Sequence, residues 1–247
     1  MDKFTSKTEL VYKKSEPVDQ LKLIDGIGLM INEHKNAALD VKKSLKNIEN
    51  AINKIFEHLT LYSDSRLIYV GAGTSARIGI QDGVELYPTF NWPKNRIDYI
   101  IAGGSKAVLE SVENAEDSVV SAQQLVEQKL INHKDIIIGL AASGNTPFTC
   151  KVLEEALKRN ALTVSISNNP LGKILEFGKV KIVLDTKEEI IAGSTRLKAG
   201  TAQKICLNII SSMVMVKMGR VKNGYMSNMV PTNSKLRKRK IFTEKFI

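Results

Sequence analysis

The sequence predicts an α/β fold: a five-stranded parallel sheet, doubly wound with helices on both faces and preceded by N-terminal helices. Three observations predict it. Short apolar runs rich in β-branched residues recur after residue 60. Helix-period stretches lie between them, which asks for parallel strands joined by right-handed crossovers. Several of the runs end in Gly, Ser or Thr, as suits the carboxyl edge of such a sheet, where ligands bind.

In chain order, residues 1–20 are polar and irregular, and 21–60 read as helical. Val41, Leu45, Ile48, Ile52, Ile55 and Leu59 recur at spacings of four and three, one apolar stripe that needs a partner surface. That surface is either the sheet of its own domain or the same helix of a second subunit. Strands are expected at Leu67–Val70, Ile97–Ala102, Asp135–Leu140, Leu162–Ile166 and Val180–Leu184. Helices are expected at Ser75–Leu86, Lys106–Asp117, Val119–Leu130, Pro147–Arg159, near Leu171–Phe177, and at Thr195–Met218. Beyond Gly219 the chain reads as a loop and a basic tail. The organisation expected is a helical segment 1–56, an α/β domain 57–220, and a loop and tail 221–247.

Hydrophobic content of 43% and charged content of 25% in 247 residues are ordinary for a water-soluble chain of one or two domains. MDKFTSKTELVYKK has no apolar core for a signal peptide, and no apolar run approaches membrane-spanning length. A cytoplasmic location without a membrane partner is therefore expected. Cys150 and Cys206 lie in apolar, helix-like segments and read as buried free thiols, not as a disulfide or a metal site. The net charge of +10 comes mostly from scattered lysines. The one dense cluster is Lys235, Arg237, Lys238, Arg239 and Lys240, with no aromatic residues interleaved, so no nucleic-acid partner is expected.

The chemistry concentrates at Leu67–Phe90, a strand, a Gly71-Ala72-Gly73 turn and a helix opened by Thr74 and Ser75. Glycines admit a ligand close to the backbone, and the first-turn N–H groups with the helix dipole favour a phosphate there. Other strand ends match it: Ser143-Gly144-Asn145-Thr146 before Pro147, the run to Asn168, and Ser194-Thr195-Arg196 ahead of Lys198. Converging, they describe a pocket of N–H and O–H donors for a phosphate or a polyol. Neither a Walker loop nor a full dinucleotide pattern is present, so a sugar phosphate fits better than a nucleotide. Of the acids, Glu85 lies in a sparsely charged run beyond the turn. Glu116 follows the second strand, and its neighbours Glu113 and Asp117 read as solvated.

GAGTSARIG, DGVELYPTF, ENAEDS, GLAASGNTPF and, most specifically, GSTRLKAGTAQK resemble the N-acetylmuramic acid 6-phosphate etherase family of the sugar-isomerase (SIS) fold, from about Leu23 to Leu236. The resemblance implies cleavage of the D-lactyl ether of N-acetylmuramic acid 6-phosphate to N-acetylglucosamine 6-phosphate and D-lactate in cell-wall recycling. It implies a cytoplasmic homodimer needing no metal or cofactor. It also implies a catalytic pair, Glu85 as proton donor and Glu116 as base. Such a pair must hold one group ionised and the other protonated at one pH. Gly73, Thr74, Ser75, Ser143, Gly144, Asn145, Thr146, Ser194, Thr195, Arg196 and Lys198 are the ligand-binding candidates.

The chain departs from the family pattern at Ala76, where glycine is usual, at Tyr87 beside the acid, at Asn228, and in a tail RKRKIFTEKFI that does not resemble the family's C-terminal helical subdomain. Ala76 implies a tighter helix start, Tyr87 a narrower site, and the tail weaker dimer packing or a more open pocket. A non-catalytic sugar-phosphate sensor and an aldose–ketose isomerase are the competing functions.

Overall fold

The computed structural model describes residues 6–231, 234–243 and 245–246. Five parallel strands, β1 (Leu67–Gly71), β2 (Ile97–Ile101), β3 (Ile136–Ala141), β4 (Leu162–Ser167) and β5 (Val180–Val183), form one sheet in the order β2-β1-β3-β4-β5. Each differs from its expected bounds by a residue or so; β1, β3 and β4 are buried along their whole length, while β2 carries half-buried Asp98 and β5 the exposed Lys181. Alternation splits the side chains between two layers. Leu67 and Tyr69 face α1 (Leu23–Lys43), α2 (Leu45–Leu61), α3 (Gly73–Phe90) and α6 (Lys198–Lys217). Ile68 and Val70 face α4 (Val119–Gln128) and α5 (Pro147–Lys158).

The apolar stripe finds its partner within the chain. Val41, Ile48, Ile52, Ile55 and Leu59 pack on α6 and the sheet, while Leu45, just past the break at Ser44, is exposed. The boundary expected at residue 56 falls within α2. Helix α6 is long and apolar enough, by length and composition, to cross a membrane, which corrects the expectation that no run approaches that length. Here its apolar residues are core: Cys206, Leu207, Ile210, Val214 and Met215 are buried. Cys150 and Cys206 are buried free thiols, and burial pushes them up to about 11 and about 12.

Three expected elements differ. Helix α3 runs past Pro88 to Phe90, and Asn91 closes it in the left-handed region at φ 52°, its N–H donating to the Tyr87 carbonyl at 2.8 Å. The helix expected at Lys106–Asp117 is instead two 3-10 turns, Gly104–Val108 and Ala115–Asp117. Within the expected loop and tail lie a small hairpin, β6 (Val221–Lys222) with β7 (Tyr225–Met226), and α7 (Ser234–Thr243). Residues 1–5 of the irregular start, and Thr232, Asn233, Glu244 and Ile247 of the tail, lie outside the described residues.

Candidate active site

Strand β1 is followed in sequence by β2 on one side and flanked by β3 on the other, so the crossovers diverge at the carboxyl ends of β1 and β3. A crevice for ligand is expected there, and a cavity of about 400 Å³ opens at that point. Ala72 and Gly73 form its floor with Ala142 and Ser143. A Cβ on Gly71 would lie 2.9 Å from the Ala76 backbone N, so only glycine lets α3 start this close to its strand. Ala76 itself is buried.

Which helix end is open to an anion follows from the caps. At α6 the buried Glu189 carboxylate already accepts the N–H groups of Lys198 (3.0 Å) and Ala199 (2.7 Å), and burial raises its affinity for a proton despite these bonds. At α5 Pro147 has no N–H, but no side chain caps this helix either, and the N–H groups of Phe148 and Thr149 remain. At α3 the N-cap is Ala72, not Thr74 or Ser75 as the sequence implies, and no side chain caps it. The first-turn N–H groups of α3, with the Thr74 and Ser75 hydroxyls beside them, are left for a ligand.

The cavity brings together Gly73, Thr74, Ser75, Ser143, Thr146, Thr195 and Glu116 of the expected set. Glu116 approaches closely: a Cβ on Gly73, which sits at φ +51°, would lie 3.1 Å from Glu116 Oε1. The remaining candidates are elsewhere. Gly144 packs its backbone on Gly172, where a Cβ would meet the Gly172 Cα at 2.4 Å. Asn145 Oδ1 accepts the Lys173 N–H at 3.0 Å, tying the same loop down. Ser194 donates its N–H to the Ile191 carbonyl, and exposed Arg196 lies outside the lining. Lys198 is buried, its Nζ donating to Glu33 Oε2 at 2.5 Å and to the Glu188 carbonyl at 2.9 Å. It is therefore an internal ion-pair partner and not a phosphate ligand. Glu85 is exposed and lies twelve residues into α3 from Gly73, about 18 Å along the axis. Tyr87, beneath the Lys94 ammonium at 4.4 Å, does not line the cavity either and so does not narrow it.

Three charged lining residues escaped the sequence reading: Glu9, Arg77 and Glu110. Arg77, one turn into α3, donates to the carbonyls of Val108 (3.0 Å), Ala107 (3.0 Å) and Glu110 (3.1 Å). These bonds tie the carbonyls of the 107–110 turn to α3. They fix the loop that carries Glu116. Arg77→Gln should therefore loosen this loop, seen as amide hydrogen exchange on the order of 10-fold faster across residues 104–117 with the fold intact by circular dichroism. Exchange as slow as in the wild type would overturn it.

Residues 47–157 match the family described as the glucokinase regulatory protein N-terminal SIS domain. An N-acetylmuramic acid 6-phosphate etherase of Lactococcus lactis is 41% identical over 237 residues, covering 96% of this chain and 79% of its own length. One of Mycoplasma mycoides is 39% identical, covering 94% of this chain and 76% of its own. Among solved structures, a Bacteroides fragilis protein assigned as a phosphosugar isomerase involved in capsule formation superposes with a TM-score of 0.63 at 14% identity, covering 85% of this chain and 98% of its own. Phosphoheptose isomerase of Neisseria gonorrhoeae gives 0.55 at 16% identity, covering 80% and 100%. These two likenesses establish the fold, the five-stranded SIS sheet.

Proposed function

The chain belongs to the N-acetylmuramic acid 6-phosphate etherase family, and from that membership we propose the following account of its activity and site. It is a carbon–oxygen lyase that cleaves the D-lactyl ether of N-acetylmuramic acid 6-phosphate, giving N-acetylglucosamine 6-phosphate and D-lactate. The observation that carries the site is one cavity holding an uncapped helix N-terminus, a ring of hydroxyls and the Glu116 carboxylate.

The 6-phosphate sits on the N–H groups of Gly73–Ser75 with the hydroxyls of Thr74, Ser75, Ser143, Thr146 and Thr195 around it. In the open-chain sugar the C2–H bond is acidified by the C1 aldehyde. Glu116 takes that proton, the electron pair forms the C2–C3 double bond, and the C3–O bond to lactate breaks as a carboxylic acid supplies a proton to the leaving oxygen. Water then adds at C3 and a proton returns to C2, which restores a saturated sugar.

The donor is Glu85, and its distance from the cavity requires that a second copy of the chain supply it. A homodimer with shared sites follows from this reading. It is supported by an exposed apolar groove of about 770 Å³ beside Leu45, Ile205, Ile209 and Met213, a face suited to another subunit. The substrate's place in cell-wall sugar recycling makes the cytoplasm the compartment of action.

The test is D-lactate release from N-acetylmuramic acid 6-phosphate by the purified chain. Absence of lactate from folded protein that still binds the sugar phosphate would instead favour the sensor reading, to which Glu85's position outside the cavity lends weight. An isomerised sugar with its ether intact would favour the isomerase.

A further inference from the structure

We infer that Arg77 is a specificity-determining residue of the cavity: its guanidinium holds the lactyl carboxylate, the second anion of a substrate whose first anion is the phosphate. The inference deepens the etherase reading of the site and rests on it.

Arg77 follows Gly73 by four residues, one turn of α3 and about 6 Å along its axis, so the two share one side of the helix, and both line the cavity. A guanidinium carries five N–H donors in a fixed fork. Three of them are spent on the turn after β2: Nε donates to the Val108 carbonyl, and Nη2 to those of Ala107 and Glu110. These bonds set the plane of the group. Among the described residues Nη1 makes no hydrogen bond, so one edge of an already oriented fork remains for a ligand. The same stretch of chain runs on to Glu116, in the turn Ala115–Asp117. An anion held at Arg77 is thereby placed relative to the proposed base.

The charges of the cavity single out this position. The first-turn N–H groups of α3 and the hydroxyls around them take the phosphate. Glu9, Glu110 and Glu116 also line the wall and disfavour a second negative charge near them. Among the described lining residues Arg77 is the only cation, so it is the one side chain able to offset a carboxylate there. Its planar fork matches a carboxylate in charge-assisted hydrogen bonds, which a lysine would meet only as a point charge. The lactyl group is carried on C3, next to the C2 that loses its proton. Holding the phosphate at Gly73 and the lactyl carboxylate at Arg77 fixes the sugar at two points with the reacting carbons between them. The product N-acetylglucosamine 6-phosphate has a hydroxyl at C3 and makes no such contact. Arg77 thus favours the ether over its own product, and over sugar phosphates with a single anion.

The experiment is calorimetric titration of the Glu116→Gln chain, with and without Arg77→Gln, using N-acetylmuramic acid 6-phosphate and N-acetylglucosamine 6-phosphate. Glu116→Gln keeps the ether intact during the titration; where it is still cut, KM stands in for the ether affinity. Arg77→Gln should weaken the ether ligand about 10-fold more than the product, the low end for a bond to a charged group because the side chain is exposed. A merely structural role, in which the 104–117 loop loosens, weakens both ligands together and leaves their ratio alone. A ratio within about twofold of that before the Arg77 substitution overturns the inference. Should Arg77→Gln fail to fold, Arg77→Lys, which keeps the charge and loses the fork, should still shift the ratio by about 3-fold and is judged by the same threshold. If the wild type binds both sugars but releases no lactate, the etherase reading fails while the binding ratio still decides this inference. If the wild type binds neither sugar, both fall.

Discussion

Glu116→Gln should lower D-lactate release by about 10²–10⁴-fold, the range for removing a general base, while sugar-phosphate affinity changes by less than about threefold. The separation follows from the cavity. The groups that would hold the phosphate, Gly73–Ser75, Ser143, Thr146 and Thr195, owe none of their positions to Glu116, which approaches them from the 104–117 loop. Glutamine keeps the volume and one acceptor but cannot take the C2 proton. Glu85→Gln should be as damaging to turnover for a different reason, loss of the proton delivered to the leaving oxygen. On the proposed shared site, with Glu85 about 18 Å along α3 from Gly73, the two variants should complement each other. Equal mixing makes about half the dimers mixed, each with one intact pair, so about a quarter of wild-type activity should return. Wild-type lactate release by Glu116→Gln would remove it as the base. No recovery on mixing, with subunit exchange demonstrated by native mass spectrometry, would sink the shared site.

The parts of this protein legible in its sequence are those set by local periodicity. Strands β1 and β3 announce themselves as apolar runs, and β2, β4 and β5 as β-branched runs whose few polar residues, such as Asp98, Thr163, Ser165 and Lys181, leave the pattern readable. The glycine turn at 71–73 was legible because close backbone approach leaves few residue choices. What stayed hidden depends on partners distant in the chain. Nothing near Lys106–Asp117 says that Arg77, some thirty residues earlier, claims its carbonyls. Nothing near Glu9 says that Gly193 will make room for it. In α7 the signal was present and misread: Lys, Arg and Leu are good helix formers, but their charge density read as a solvated tail.

The most specific stretch of the sequence, GSTRLKAGTAQK, proves mainly architectural, which changes what its residues should do when replaced. Only Thr195 lines the cavity. Gln203 Nε2 donates to the buried Asn168 Oδ1 at 2.9 Å, and Asn168 in turn donates to carbonyls of Leu184 and Ala199. A Cβ on Gly200 would lie 3.3 Å from Thr74 Cγ2, so the start of α6 backs directly onto the cradle. The motif sets where the cradle sits, and Lys198 joins that frame to the N-terminal helix α1.

Lys198→Met should accordingly cost about 3–5 kcal/mol of stability, read as a lower urea midpoint, because it strands a buried carboxylate. Glu33 Oε1 accepts from the Tyr12 hydroxyl (3.1 Å) and Asn36 amide (3.0 Å), but among the described residues its only cationic hydrogen-bond donor is Lys198. Burial pushes the Glu33 carboxyl up, the Lys198 ammonium pulls it down further, and the net position is below the usual carboxylate range. In the wild type the stability this contributes is therefore full above the ordinary carboxylate pKa and is lost as pH falls through the lower folded value. With Met at 198 the burial effect is left with weaker opposition and the folded value moves above the unfolded one. The deficit of the variant should then be largest at neutral pH and shrink as the solution is acidified toward pH 4 or so, where Glu33 takes up a proton in both states. Glu33→Gln combined with Lys198→Met should recover most of the loss at neutral pH, since no charge remains to be buried. Equal instability of the double variant, or a deficit independent of pH, would mean that the Lys198 stem packs the core and its charge is incidental. Since Lys198 begins the helix that backs Thr74, the same variants should lose phosphate affinity only as they unfold. A phosphate ligand would lose it while still folded, and that difference separates a frame residue from a site residue.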